Sequence, residues 1–445
     1  MDVTVLPILN LREHQATQSL SCFISTPGTS ANKTGRFSLA YIPPPSLAHS
    51  TSLRAAQPRP LCFNQSVLTM DNSKPEYLPP RGERAARHSK EVPGGSAVTQ
   101  PPPGFPLTLS SPLAWTRNEM EGDAHKYILR LSDEHIFALE TGLRRFGDFP
   151  RQGDISDEDF PLPNDLVREL RRISDQCYRG PGFAVIKGLD PTKYTAEENL
   201  KIYASIAAHV APHHGFVNHD RTKVVAYVMN EENGPGSSRA PGFTKDALAF
   251  HTDSSEILSL FAINVASEGG STLISSGYHL YNQLAQMRDF SFQDPAKYPP
   301  IHRAMLHAAD ANNVCFTFSR YPMTGYKQRQ RDPSLPPLTE AQLEALDTVQ
   351  HILEENSIAL PWDKGDIVFI NDMAIFHART AFQEQEGSGR ELVKLYLHDP
   401  KQQWPVAPTA QENWNKLFVP KKQNNASRDE WNLVDKSGEN SLSNG

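Results

Sequence analysis

Prolines are distributed unevenly along the 445-residue chain, and this limits how much of the chain can pack into a domain. Sixteen of the 36 prolines fall within residues 1–124, including two runs of three consecutive prolines. Because proline fixes its φ angle and lacks a backbone N–H donor, such a segment disfavours both helices and central strands. We therefore predict a disordered extension over residues 1–110, one folded domain over residues 111–420, and a disordered polar tail over residues 421–445.

The predicted extension also has an unusual charge pattern. Residues 14–70 contain no aspartate or glutamate, although they contain lysines, arginines and many serines and threonines. This composition is typical of an organelle transit peptide, and the alternatives are an ordinary solvent-exposed extension or a protein that starts at Met70. We therefore expect a cytoplasmic protein, or a mitochondrial one if the segment is a genuine transit peptide.

Composition also excludes several classes of protein. The chain has no run of 18 apolar residues, so nothing in it predicts a membrane span. Its net charge of −7 argues against a general nucleic-acid binder. The four cysteines lie far apart without a Cys-x-x-Cys motif, which indicates neither a disulfide scaffold nor a thiolate zinc site. We therefore expect no nucleic-acid or membrane partner, and the sequence leaves the oligomeric state open.

Hydrophobic periodicity predicts helices first and strands afterwards. Helices are predicted at Asp133–Gly147, Asn164–Cys177 with Asn164 as its N-cap, Ala196–Val210 and Thr339–Glu355. Strands are predicted at Phe183–Lys187, Val224–Met229, Leu258–Val265, Ser271–Ser275, Ala304–Ala308, Val314–Phe318, Ser357–Trp362, Asp366–Asn371 and Glu391–His398. This distribution indicates a mixed α+β fold, with a jelly-roll core (a double-stranded β-helix) flanked by helices.

One local motif, Phe250-His251-Thr252-Asp253, has the residue types of a metal site. On an extended chain, positions i and i+2 point to the same side, so His251 and Asp253 would face one spot. A distant histidine would complete the two-histidine, one-carboxylate set that suits non-haem Fe(II) oxygenases. In a chain with 16 histidines, roughly one His-x-Asp triplet is expected by chance, so the alternative is a strand-edge histidine beside a solvated aspartate.

A second region strengthens the metal hypothesis. Residues 365–377 consist of an apolar strand, a polar turn and another strand that carries His377. Thirteen residues later, Arg390 opens a strand on which Arg390, Leu392, Lys394 and Tyr396 share one face. Two buried cations are costly unless anions pair with them. The strand therefore predicts either a bound dianion or a pair of carboxylates.

Together these motifs occur in a characteristic order: His-x-Asp, Gly-Gly-Ser-Thr, Gly-Asp…Asn-Asp…His, and Arg. This order resembles the taurine dioxygenase (TauD/TfdA-like) family of Fe(II)- and 2-oxoglutarate-dependent oxygenases, and it looks closest to the fungal members. The similar segments are Ala249–Asp253, Glu268–Thr272, Phe376–Arg379 and Leu395–Pro400. The resemblance extends over about residues 111–419.

The resemblance implies roles for six residues. It implies His251, Asp253 and His377 as the iron ligands and hence as catalytic residues, and it implies Thr272 and Arg390 as 2-oxoglutarate-binding residues. Where the family often has a second arginine, this chain has Lys394, which keeps the charge but loses the planar fork of hydrogen-bond donors. We predict that Lys394 also contributes to binding of the cosubstrate.

The resemblance therefore implies an enzyme, a dioxygenase that uses Fe(II), 2-oxoglutarate and O2 to hydroxylate or desaturate a C–H bond of a small organic molecule. Its setting would be secondary metabolism or catabolism. Lys394, and Asp372 in the place of an expected asparagine, favour the alternative of a non-catalytic barrel that binds iron or 2-oxoglutarate. A zinc hydrolase with the same ligands is a third hypothesis, but it leaves Arg390 and Thr272 without a role.

Overall fold

A computed structural model describes most of the chain after residue 77. The described residues are 78–88, 101, 104–146, 155–218, 220–230, 241–253, 255–284, 305–327, 330–331, 333–385, 389–406, 408–420 and 431. The segment resembling a transit peptide, the alternative start at Met70 and all but one residue of the predicted tail lie outside these residues. No helix within the described ranges is both long enough and apolar enough to cross a membrane.

Several of the helices begin where the sequence provides a capping hydroxyl. They are α1 (Arg81–His88), α2 (Arg117–Met120), α3 (Asp133–Leu143), α4 (Asn164–Arg179), α5 (Ala196–Val210), α6 (Gly277–Leu284), α7 (Tyr321–Thr324), α8 (Glu340–Glu355) and α9 (Gln411–Phe418). Ser132, Thr195 and Thr339 accept backbone N–H groups at the starts of α3, α5 and α8. The predicted N-cap Asn164 is wrong, because Pro163 holds the extended conformation of the capping residue and the helix already includes Asn164.

Strands fill the second half of the described chain. They are β1 (Ile128–Arg130), β2 (Phe183–Lys187), β3 (His213–Gly215), β4 (Ala226–Met229), β5 (Leu248–His251), β6 (Ile257–Asn264), β7 (Glu268–Gly269), β8 (Thr272–Ser276), β9 (Leu306–Ala308), β10 (Val314–Phe316), β11 (Ile358–Ala359), β12 (Ile367–Asn371), β13 (Ile375–Arg379), β14 (Phe382–Gln383) and β15 (Glu391–His398). The predicted bounds of β2, α5 and β15 are confirmed, whereas most other predicted strands are confirmed with shifted ends. The described part of the chain therefore has a mixed α/β fold with many strands.

These strands form two main sheets. The larger sheet has the order β1-β2-β12-β6-β15-β3, and β4 also pairs with β15. The smaller sheet has the order β11-β8-β13-β5. Strands β12 and β15 lie on either side of β6 and pair with it antiparallel, and both are almost completely buried. Burial on both faces explains why β12 reads as a continuous apolar run rather than as an alternating one, and why β15 is apolar apart from Lys394 over residues 392–397.

The range predicted as a disordered extension contains structure in its described part. Helix α1 packs against α8, where the guanidinium of Arg84 donates to both carboxylate oxygens of Glu354 at 2.6 and 2.5 Å. Arg84 is only 2% exposed, and Arg81 forms a second ion pair with Glu355. The sequence did not predict α1, because its hydrogen-bond partners lie about 270 residues away along the chain.

Candidate metal centre

Pairing of two strands brings the two predicted histidine ligands together. In the antiparallel pair of β5 and β13, His251 lies directly opposite His377. Opposed residues of an antiparallel pair are the closest neighbours that a sheet provides. The two imidazole ring centroids are 4.1 Å apart, and both side chains are buried.

The carboxylate of Asp253 completes a compact set of three ligand types. One ligand atom from each of His251, Asp253 and His377 lies within 4.8 Å of the other two. Asp253 Oδ1 is 3.7 Å from His251 Nε2, and Asp253 is 4% exposed. The structure therefore brings together the three residues to which the sequence assigned a metal, and this is the one such group of three or more among the described residues.

The ionisation of the three side chains suits a divalent cation. Burial lowers the pKa of His251, and burial together with the neighbouring His251 lowers the pKa of His377 to about 3. Burial alone would raise the pKa of Asp253, but the charge of Lys394, and those of the two histidines when they are protonated, outweigh it and lower that pKa. The resulting site holds two neutral imidazoles and one carboxylate, which are the protonation states that bind metal.

Neighbouring polar groups help to fix the orientation of the three candidate ligands. His251 Nδ1 lies 2.9 Å from the carbonyl oxygen of Ala249, which leaves Nε2 facing Asp253. The buried carboxylate of Asp372 accepts the backbone N–H of Asp253 at 2.9 Å and that of Ser255 at 2.7 Å. Asp372 Oδ1 is also 3.7 Å from His377 Nδ1, so the segment that follows β5 and the ring on β13 face the same carboxylate.

Arg390 is a buried cation at the start of β15. Its side chain is 4% exposed, and its guanidinium makes no hydrogen bond or ion pair with any residue that the structure describes. Its carbon Cζ lies 5.5 Å from the ring centroid of Phe382. Burial, and then the nearby charge of Arg379, lower the pKa of Arg390. The nearby carboxylate of Glu384 opposes this shift but forms no ion pair with the guanidinium. A buried guanidinium without an ion pair is the kind of group that an anionic ligand stabilises.

A glycine turn brings the start of β8 close to Arg390. Gly269 and Gly270 both have left-handed φ angles, +74° and +69°, which favour glycine. A Cβ atom on Gly269 would lie 2.1 Å from the carbonyl oxygen of Ala381, and one on Gly270 would lie 3.5 Å from Arg390 Cδ. Thr272 follows this turn, is 3% exposed, and its hydroxyl has no hydrogen-bond partner within the described ranges.

Lys394 contacts two neighbouring side chains of the protein. Its ammonium Nζ is 3.1 Å from Asp253 Oδ2 and 3.1 Å from the hydroxyl of Tyr396. Lys394 and Tyr396 do share one face of β15, as predicted from their spacing. The buried carboxylate expected to pair with this cation is therefore Asp253 itself. A contribution of Lys394 to cosubstrate binding stays a prediction.

A cleft borders the segment that follows Asp253. Together with the solvent space at its mouth it encloses about 650 Å³. Its lining includes Glu256, Phe316, Met373, Trp404 and Trp414. The Glu256 carboxylate is already engaged by the hydroxyl of Tyr178, the ring of His398 and the backbone N–H of Asp399. The free surface of the cleft is therefore mainly aromatic and apolar, a property that the sequence motifs did not indicate.

Comparison with known proteins identifies the same family that the sequence motifs resemble. The family model described as "Taurine catabolism dioxygenase TauD, TfdA family" matches residues 147–396. The chain is 29% identical over 330 residues to the taurine hydroxylase-like protein SAT17 of Stachybotrys chartarum, covering 70% of this chain and 85% of that protein. It is 23% identical over 251 residues to FR-33289 synthase of Streptomyces rubellomurinus, covering 50% and 71%.

Solved structures also align with the chain. Asparagine oxygenase in complex with Fe(II), 2S,3S-3-hydroxyasparagine and succinate aligns with a TM-score of 0.46 and 14% identity, over 63% of this chain and 99% of its own. The non-haem iron oxygenase OrfP in complex with Fe and alpha-ketoglutaric acid aligns with a TM-score of 0.45 and 15% identity, over 61% and 94%.

Proposed function

The chain belongs to the TauD, TfdA family of dioxygenases, and from this premise we propose that it oxidises a C–H bond of a small organic molecule with Fe(II), 2-oxoglutarate and O2. The observation that carries the proposal is the buried group of His251, Asp253 and His377. Two imidazoles and one carboxylate on one side of a metal leave three positions open, which is the arrangement used by non-haem Fe(II) oxygenases.

The residues around this group fit the family's cofactor and cosubstrate. The neutral histidines and the anionic aspartate are ready to bind Fe(II) without losing protons. The unpaired guanidinium of Arg390 suits the distal carboxylate of 2-oxoglutarate, because its planar fork can donate two parallel hydrogen bonds. The hydroxyl of Thr272, which has no partner within the described chain, supplies a further donor near the same turn.

Bound Fe(II) and 2-oxoglutarate supply O2 activation, which is coupled to decarboxylation of the cosubstrate to succinate and CO2. The protein residues provide the rest. His251, Asp253 and His377 hold the metal, and Arg390 with Thr272 orient the cosubstrate and neutralise its distal charge. Burial of all five side chains excludes water from the site. Exclusion of water protects a reactive oxidant from side reactions.

We also propose that the two sheets are the halves of a double-stranded β-helix. From β5 to β15 the long strands alternate between the smaller and the larger sheet: β5, β8 and β13 lie in one, and β6, β12 and β15 in the other. Such alternation is what a jelly roll requires. The alternation supports an arrangement in which the histidine ligands of the smaller sheet and Lys394 of the larger sheet face the same interior.

We propose candidate substrates from one relative and from the lining of the cleft. One relative is a taurine hydroxylase-like protein, so taurine is the first compound to test. The cleft beside residues 255 and 256 has an aromatic lining, including Phe316, Trp404 and Trp414. We therefore propose that aromatic and aliphatic compounds without an acidic group be tested alongside taurine, with succinate release as the readout.

Two variants and one control test the proposed function. In anaerobic titrations with Fe(II) and 2-oxoglutarate, the wild-type protein should develop the visible absorption band of a metal-chelated keto acid. His251→Ala and His377→Ala should bind no Fe(II) and show no band. His209→Ala is a matched control, because His209 is also buried and its Nδ1 also lies against a backbone carbonyl, that of Ser205, at 2.8 Å. Full Fe(II) occupancy in His251→Ala would refute the ligand assignment.

A further inference from the structure

The two oxygens of the Asp253 carboxylate have different surroundings. Oδ1 lies toward His251, 3.7 Å from Nε2. Oδ2 accepts two hydrogen bonds, one from Lys394 Nζ and one from the hydroxyl of Tyr396, each at 3.1 Å. Lys394 and Tyr396 are also 3.1 Å apart and are 2% and 0% exposed. The three side chains form a closed triangle of hydrogen bonds that water does not reach.

We propose that Lys394 and Tyr396 are positioning residues that make Asp253 a one-oxygen metal ligand. This inference rests on the proposed function. Two donors hold Oδ2, so the carboxylate cannot rotate to place both oxygens on the metal. The backbone N–H of Asp253 is fixed as well, by Asp372 at 2.9 Å. A carboxylate held in this way leaves three metal positions open, as the chemistry requires.

The same contacts separate the role of Lys394 from that of Arg390. Arg390 immediately precedes β15, and Lys394 lies on that strand four positions further along, which corresponds to about 13 Å of extended chain. Arg390 forms no ion pair with a described residue, whereas Lys394 already contacts a carboxylate. A lysine ammonium is a compact point charge that suits one oxygen atom, and an arginine fork suits a whole carboxylate. The exchange of arginine for lysine at position 394 therefore matches a change of partner, from an external anion to Asp253.

The inference is tested by separating metal affinity from cosubstrate affinity. The dissociation constant of Co(II) is measured by competition with a chelator, and that of 2-oxoglutarate is measured at saturating Fe(II). Lys394→Met should raise the Co(II) dissociation constant by about 10- to 100-fold, the usual effect of losing a group that orients a metal ligand. Tyr396→Phe should raise it by about 2- to 10-fold, since it removes one of the two hydrogen bonds to Asp253 Oδ2. The 2-oxoglutarate constant should change by less than about 3-fold, because the inference assigns Lys394 and Tyr396 to Asp253 and not to the cosubstrate.

A matched control is Lys187→Met. Lys187 is another buried lysine, 6% exposed, and its ammonium pairs with the buried carboxylate of Asp366. This variant should lower stability and leave the Co(II) constant unchanged. The visible spectrum of bound Co(II) gives a further readout, because its intensity reports coordination number. It should change in Lys394→Met, where Asp253 is free to use both oxygens, and it should not change in Lys187→Met.

The outcomes distinguish this inference from the proposed function. If the wild-type protein binds neither Co(II) nor Fe(II), both proposals fail together. If it binds metal and Lys394→Met raises only the 2-oxoglutarate constant, Lys394 is a cosubstrate ligand and the inference is overturned while the proposed function stands. If Lys394→Met does not fold, Tyr396→Phe decides, because it removes only a hydroxyl, and an unchanged Co(II) constant in that variant overturns the inference.

Discussion

Replacing Arg390 by methionine should abolish tight binding of 2-oxoglutarate without destabilising the ligand-free protein. The guanidinium of Arg390 is buried and unpaired with respect to the described residues, so its removal breaks no hydrogen bond of that group. Arg379 offers a matched comparison, because it is 6% exposed and also lies against the ring of Phe382, at 5.0 Å. In contrast with Arg390, it donates to the carbonyl oxygens of residues 241, 242, 244 and 246.

These contacts set the expected magnitudes. Arg390→Met relieves the cost of a buried charge and loses a cation–π contact of about 0.5–2 kcal/mol, so the free energy of unfolding should stay constant or rise slightly. Arg379→Met leaves at least two buried carbonyls without donors, at about 1–3 kcal/mol each, so that free energy should fall by roughly 2–6 kcal/mol. Loss of two charge-assisted hydrogen bonds to 2-oxoglutarate, about 1.5–3 kcal/mol each, should raise its dissociation constant by about 10²- to 10⁴-fold in Arg390→Met.

Two measurements on each variant check this reasoning. Denaturant unfolding without ligands gives the free energies, and anaerobic titration with 2-oxoglutarate at saturating Fe(II) gives the dissociation constants. The reasoning is refuted if Arg390→Met is destabilised as strongly as Arg379→Met, since Arg390 would then have a protein partner. It is equally refuted if Arg390→Met binds 2-oxoglutarate within about 3-fold of the wild type.

The same structure gives two further predictions, one on the effects of pH and one on the glycine turn. Because burial holds the pKa of His377 near 3 and also lowers that of His251, the Co(II) dissociation constant should change less than about 3-fold between pH 7.5 and 5.5, whereas two imidazoles of ordinary pKa would cost about 100-fold. The metal-free protein should lose stability as pH falls below about 6.5, since only the unfolded histidines take up protons there, and unfolding curves over that range check the sign. Gly269→Ala should cost about 2–4 kcal/mol of unfolding free energy, because the new Cβ meets the carbonyl of Ala381 at a φ of +74°. Its control, Gly82→Ala, adds a Cβ with no atom within 4 Å in a helix, and should stabilise the protein slightly in the same denaturant assay.

An affinity for Co(II) that falls steeply between pH 7 and 6 would contradict the first of these predictions. A Gly269→Ala variant as stable as Gly82→Ala would contradict the second, because the turn would then tolerate a side chain.

Local patterns in the sequence predicted the parts of the site that depend on strand periodicity. The spacing of His251 and Asp253, and the common face of Lys394 and Tyr396, follow from the two-residue repeat of an extended chain. The partner of Lys394 did not follow, because periodicity gives the face of a strand and not what lies opposite it. That information depends on how β15 and the residues after β5 meet, and they are separated by about 140 residues.

The prediction of strands was limited in the same way, because it used only local sequence patterns. Apolar runs predicted the central strands β2 and β12, and a mainly apolar run that contains Lys394 predicted β15, because burial on both faces leaves a strong local signal. Strand β3 was missed, since His213-His214-Gly215 has little strand propensity and owes its conformation to pairing with β15.

Helix α1 has a practical consequence for anyone who prepares this protein. The match to the family begins at residue 147, so sequence similarity alone would suggest that a fragment can start shortly before that position. Such a fragment would lack Arg84 and its ion pair with Glu354 on α8. It would also lack Leu78, which is 3% exposed. A fragment that keeps the surface of α8 covered, and so resists aggregation through it, has to begin at or before residue 78.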